Sequence, residues 1–152
     1  MPDRKTIERA VADKREGKAP TTQAGEFVRE EIDQIRHGKH GARSAAQAIA
    51  IGLSKARRAG VKLPPPDKGA ASEKTRHSAQ LALEAGARPG HKVSAKRSRA
   101  ITTALRREGQ AAASETALAR HARTAAKQRS AADRSAAARK AARTRALHKA
   151  GG

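Results

Sequence analysis

The apolar positions of this chain form one well-patterned stretch, flanked by segments patterned weakly or not at all. In "TTQAGEFVREEIDQIRHGKHG", Ala24, Phe27, Val28, Ile32 and Ile35 recur at three- and four-residue spacing, the period of a helix with one buried face. Thr21 or Thr22 is placed to cap that helix, and Gly38 to end it in the left-handed conformation. The next segment, "SAAQAIAIGLSKARRAG", opens with Ser44 and Gln47 at capping-box spacing. It sets Ala45, Ala48, Ile49, Gly52, Leu53 and Ala56 on one face, with Gly60 as a stop and "LPPP" barring continuation. Residues 21–62 thus predict a helical hairpin.

Outside the hairpin the pattern thins. Residues 1–20 read as a basic N-terminal segment whose weak helix, in "TIERAVADKREG", has only Ile7, Ala10 and Val11 to pack. Residues 63–93 read as a Pro/Gly-containing linker with a short helix over 72–85, where Leu81 and Leu83 do not share a face, followed by "ARPGHKV". Residues 94–152 offer three helices, over 94–108, 114–129 and 131–150. That segment holds 20 alanines but only Ile101, Leu105, Leu118 and Leu147 as large apolar residues. It has helix propensity without a core. The predicted fold is therefore mostly α: a small helical hairpin followed by a flexible, Ala/Arg/Lys-rich, conditionally helical tail.

Composition sharpens this picture. Phe27 is the only aromatic residue and there is no cysteine, which excludes a disulfide framework and a Cys-based zinc finger. The start of the chain has no apolar run of the kind a secretory signal needs, and "AAQAIAIGL" is too short to span a bilayer. The reading is a cytoplasmic, nucleoid-associated protein. Lys and Arg number 34 against 14 Asp and Glu, for a net charge of +20. The charge is graded: net +2 over residues 1–43, +6 over 44–93 and +12 over 94–152. Such a balance opposes compaction and favours a polyanionic partner.

Residues 134–149 carry six permanent positive charges scattered around the helix axis. That arrangement suits a helix lying in a groove with phosphates on either side, with helix formation coupled to binding. Single-strand and RNA recognition commonly stacks bases on aromatic rings. Phe27, the only Phe, Tyr or Trp, fits the hairpin stripe, so duplex backbone contact is favoured. The candidate phosphate-contacting residues are Lys55, Arg57 and Arg58 at the end of the second hairpin helix, and fifteen in the tail. The latter are Lys96, Arg97, Arg99, Arg106, Arg107, Arg120, Arg123, Lys127, Arg129, Arg134, Arg139, Lys140, Arg143, Arg145 and Lys149. For the hairpin cations, stabilisation by the helix dipole is an equal reading.

Catalysis has no support in the residues. His37 and His40 stand three apart in a turn without further metal ligands, and read as a solvated loop. Glu26, Glu30, Glu31 and Asp33 read as the exposed face of an amphipathic helix. No cofactor or metal is expected. The leading expectation is non-enzymatic, largely sequence-independent binding of duplex DNA. An RNA- or ribosome-associated factor and a protein-interaction module built on the hairpin are the alternatives. Basic helices without a large apolar face argue against a membrane role.

The hairpin also resembles a family of small, basic, uncharacterised bacterial proteins, often labelled DNA-binding. Gln47, Ala48, Ile49, Ala50, Ile51, Leu53, Ser54, Ala56, Arg57, Ala59 and Gly60 carry the likeness. Longer relatives have tails similar to "SAAARKAARTRA", a composition that also resembles linker-histone tails. The resemblance implies a bacterial setting and a real hairpin, but no substrate or mechanism.

Overall fold

The computed structural model describes residues 1–88, 90 and 94–151. Among these the chain is mostly α, with seven α-helices and no strand. They are α1 (Arg4–Arg15), α2 (Pro20–Arg36), α3 (Ala45–Arg58), α4 (Glu73–Ala87), α5 (Ala95–Arg106), α6 (Glu115–Gln128) and α7 (Ala131–Ala150), with one 3-10 turn at Ala111–Ala113. The residues form two compact units, Met1–Ala117 and Leu118–Gly152. Most of the expected linker "ARPGHKV" lies outside the described residues.

The hairpin is α2 packed on α3. α2 starts before the threonines expected to cap it: Ala19 is the N-cap, without a side-chain hydrogen bond, and Pro20 opens the helix. Proline suits that position because its φ is already helical and its missing N–H would have had no partner. Gly38 and Gly60 both adopt the left-handed conformation, with φ of 72° and 93°, and end their helices as expected. Ser44 Oγ accepts from the Gln47 N–H at 3.1 Å. The Gln47 side chain reaches back one residue further than in a standard capping box, and accepts from the Arg43 N–H at 2.7 Å. Where α2 and α3 cross, a Cβ on Gly52 would sit 2.7 Å from Val28 Cα, so the helices approach more closely than any larger residue allows.

α1 packs on α2, but through only one of the three residues its pattern predicted, Ala10. Thr6, Ala10 and Asp13 are buried, whereas Ile7 and Val11 remain 37% and 40% exposed. Polar fasteners set this rotation. The Asp3 N–H donates to Glu30 Oε1 at 3.1 Å, Arg9 pairs with Glu26, and Lys18 Nζ donates to Asp13 Oδ1 at 2.7 Å. Asp13 and Glu16 together hold the Lys18 ammonium above the ordinary lysine range.

On its other side α3 receives α4, through buried Ala79 and Ala82. A Cβ on Gly86 would fall 1.9 Å from the Arg57 carbonyl oxygen, so glycine is required there too. α4 runs two residues past its expected end at 85 and leaves Leu81 51% exposed.

Two small cores result. The first gathers Ala10, Ala24, Phe27, Ala56, Val61 and Leu63, with Leu53 half-buried against them. The second joins Ile35, Ala42 and Ala48 to Ala112 and Ala113, with Ile32 at its edge. Those last two alanines belong to the expected tail, so the packed unit extends past the expected boundary at 93. Backbone bonds secure the junction: the Gly41 N–H donates to the Leu105 carbonyl at 2.9 Å and the Ala42 N–H to that of Gly109 at 3.1 Å. Arg36 Nε donates to the Ala113 carbonyl at 2.9 Å.

In the second unit, Ser130 caps α7 by accepting from the Asp133 N–H at 3.1 Å. No residue of α7 is buried.

Candidate nucleic-acid interface

The acidic residues of α2 are not the exposed face that the sequence predicts. Glu31 is fully buried and Glu30 is 6% exposed. Burying a carboxylate is costly unless it is paired, and both residues have partners. Glu31 Oε2 accepts from Lys55 Nζ at 2.5 Å, and Lys55 also reaches Gln34 Oε1 at 3.3 Å. His40 Nε2 stands 3.3 Å from Glu31 Oε1, so this histidine packs against a buried acid rather than standing in a solvated loop. Glu30 Oε1 accepts from Gln34 Nε2 at 2.7 Å, as well as from Asp3. Only Asp33 of the four is exposed without reservation; Glu26 is half-buried.

These contacts divide the three hairpin candidates. Lys55 is the internal counter-ion of Glu31. Arg57 is 5% exposed, and donates through Nε to the Leu63 carbonyl and through a terminal nitrogen to the Pro64 carbonyl, both at 3.0 Å. It clamps the proline segment back onto α3, and burial pushes its guanidinium below the ordinary arginine value. Arg58, the next residue, is exposed. Of the three, it alone is exposed and has no side-chain bond among the described residues.

The fifteen tail candidates are all exposed. On α5, at about 100° per residue, Lys96, Arg99, Arg106 and the capping Arg107 fall within an arc of about 100°, opposite Ile101 and Leu105. Arg97 lies off that arc. On α6 the grouping is tighter: Arg120, Arg123 and Lys127 fall within about 60°. Half-buried Leu118, His121 and Ala125 occupy the other side. The sequence reading missed this stripe, although the spacing of its three cations was the signal for it. Arg129 lies beyond the end of α6. α7 carries Arg134, Arg139, Lys140, Arg143, Arg145 and Lys149 on more than one face.

The partners of the arginines decide what these surfaces are free to do. Up to residue 88 there are ten arginines, and five of them (Arg4, Arg9, Arg36, Arg57 and Arg76) have side-chain bonds to other described residues. From residue 94 onward there are eleven, and among the described residues only Arg134 has one, to the Arg129 carbonyl. Every ion pair among the described residues lies at or before Arg76. The tail's charge is therefore available to an external partner. Among the described residues no group of three His, Asp or Glu side chains is placed to hold a metal ion, and no helix is long and apolar enough to cross a membrane.

Residues 4–67 match a family of unknown function (DUF6496). The match runs from α1 through the proline segment, and so takes in the hairpin, the buried carboxylates and the Arg57 clamp. It ends before the cation-bearing helices α5, α6 and α7. No curated protein and no solved structure matches the chain.

Proposed function

We propose that this protein binds duplex DNA through phosphate contacts, with little sequence preference and without catalysis, as a nucleoid-associated protein. The observation that carries the reading is the contrast in arginine partners: among the described residues, half of the arginines up to residue 88 are tied within the chain, and only one of eleven from residue 94 onward is. Exposed cations without carboxylate partners repel one another. A polyanion removes that repulsion, and each neutralised phosphate releases condensed counterion. The single Phe, Tyr or Trp ring, Phe27, is 1% exposed. It is therefore closed to base stacking, which favours duplex over single strands.

The test is salt-dependent binding to random-sequence duplex, by the full chain and by a chain ending at Arg129. If the six α7 cations each engage a phosphate, truncation flattens the log–log salt slope by about 5. Structured RNA binding more tightly than duplex DNA at matched salt would favour the ribosome-associated alternative. No duplex binding by the full chain overturns the proposal. A slope untouched by truncation moves the site to α5 and α6.

A further inference from the structure

α7 is a two-walled helix, and we infer that it lies in the major groove of B-form DNA, one row of cations against each phosphate strand. This rests on the duplex-binding reading above and adds where on the duplex the contact is made.

The inference comes from how one continuous 20-residue helix distributes its side chains. At about 100° per residue, Arg134, Arg145 and Lys149 cluster within about 60°, and Arg139, Lys140 and Arg143 within about 100°, with the two centres about 160° apart. Of the two gaps between the clusters, the narrower holds Ser135, Ala142 and Ala146, all small. The wider holds Asp133, Ala137, Ala141, Thr144 and His148, and Asp133 is the helix's only carboxylate. The helix thus has two cationic flanks, a small-residue edge between them and an outer edge with its one negative charge.

Each feature has a counterpart in the groove. A flat anionic surface neutralises one flank and leaves the other unpaired, whereas a groove walled by two phosphate strands neutralises both. The B-DNA major groove, about 12 Å wide and 8.5 Å deep, admits an α-helix. A helix with alanine and serine on its leading edge is at the thin end of the usual 10–12 Å diameter, so it seats deeply enough for both rows to reach phosphate. The outer edge then holds Asp133 away from the DNA. The major groove of A-form RNA is deep and too narrow to enter, so the same helix discriminates against double-stranded RNA.

The experiment is dimethyl sulfate footprinting of a random-sequence duplex bound by the full chain, since this reagent reports guanine N7 in the major groove and adenine N3 in the minor. Protection of N7 alone is expected. A same-composition variant supplies the control: Arg139→Ala, Lys140→Ala and Arg143→Ala combined with Ala131→Arg, Ala138→Arg and Ala141→Lys. It gathers all six cations on one flank with charge unchanged. It should lose N7 protection, bind duplex about tenfold or more weakly at equal salt, and lose its preference over double-stranded RNA. A second pair reads the edges: Ala142→Glu, on the leading edge, should abolish N7 protection, while Ala137→Glu, on the outer edge, should leave it in place. Both carry the same charge change, so a loss of helix common to α7 variants cannot produce the difference. Binding without N7 protection, protection of adenine N3, or equal behaviour of the one-flank variant overturns the groove assignment while the duplex-binding reading stands. Absence of duplex binding overturns both.

Discussion

Residues 1–88 and α7 use arginine in opposite ways. In the first region half of the arginines are structural ties, among them Arg57, which holds the carbonyls of Leu63 and Pro64, Arg76, which holds that of Pro66, and Arg36, which holds that of Ala113. A unit with one aromatic residue and cores made largely of alanine buries little apolar area, and such hydrogen bonds to charged groups supply part of what the core lacks. In α7 the same residue type is exposed at every position. The lesson is that net charge alone does not locate a binding surface. What matters is which cations already have partners.

The largest effect should come from breaking the internal use of charge. Lys55→Ala leaves the Glu31 carboxylate buried beside only His40, and removing one partner of a buried pair typically costs about 3–5 kcal/mol. Urea unfolding of the full chain should show a loss of that size, and adding Glu31→Gln should recover much of it. A Lys55→Ala chain as stable as the original would mean that the pair is not the internal tie described here. A change of similar magnitude in DNA affinity without loss of stability would return Lys55 to the binding surface.

Of the same order is the effect of opening the hydrophobic core. Phe27 is 1% exposed, and Phe27→Ala should cost about 3–5 kcal/mol. Leu53, which sits half-buried at the edge of the same cluster, should cost less when truncated, about 2 kcal/mol. Neither substitution should change the salt slope of DNA binding under conditions where the chain remains folded. A Leu53→Ala loss equal to that of Phe27→Ala would place Leu53 in the centre of the core.

Much of the hairpin was legible because its signals are local. The glycine stops at 38 and 60, the Ser44 cap and the stripe through Phe27 each depend on residues within a few positions of one another. The parts that were misread depend on distant partners. Glu31 falls within the apolar stripe of α2, four residues after Phe27 and four before Ile35, with Glu30 at its border. Yet carboxylates are almost never fully buried unless paired, and the partner Lys55 lies 24 positions away. Ile7 and Val11 were expected inside along with Ala10, but the ties from Asp3, Arg9 and Asp13 turn Thr6 and Asp13 inward beside Ala10 instead. Ala112 and Ala113 read as part of a coreless tail, because alanine gives the same signal in an exposed helix as in a tight contact. The tail cations were legible individually. Their grouping on α6 and α7 was also present in their spacing, because the helices expected over 114–129 and 131–150 nearly coincide with those observed. On α7, however, two opposed clusters read as charges scattered around the axis.

The smallest predicted effects separate two neighbours. Arg57→Ala removes the clamp and leaves carbonyl oxygens of the proline segment unpaired, a cost of about 1–3 kcal/mol. Because its guanidinium is turned inward, its loss should leave the salt slope unchanged. Arg58→Ala should behave in reverse: stability within about 0.5 kcal/mol of the original, and a slope flattened by about 0.9 if it meets a phosphate. Both substitutions remove one positive charge from adjacent positions on the same helix, so a model based on net charge predicts identical binding curves for the two. Urea melts and salt titrations of the pair therefore ask directly whether a cation's existing partner decides its role. If the two variants gave the same slope and the same stability, the distinction between tied and free cations would fail at the point where it is drawn most finely.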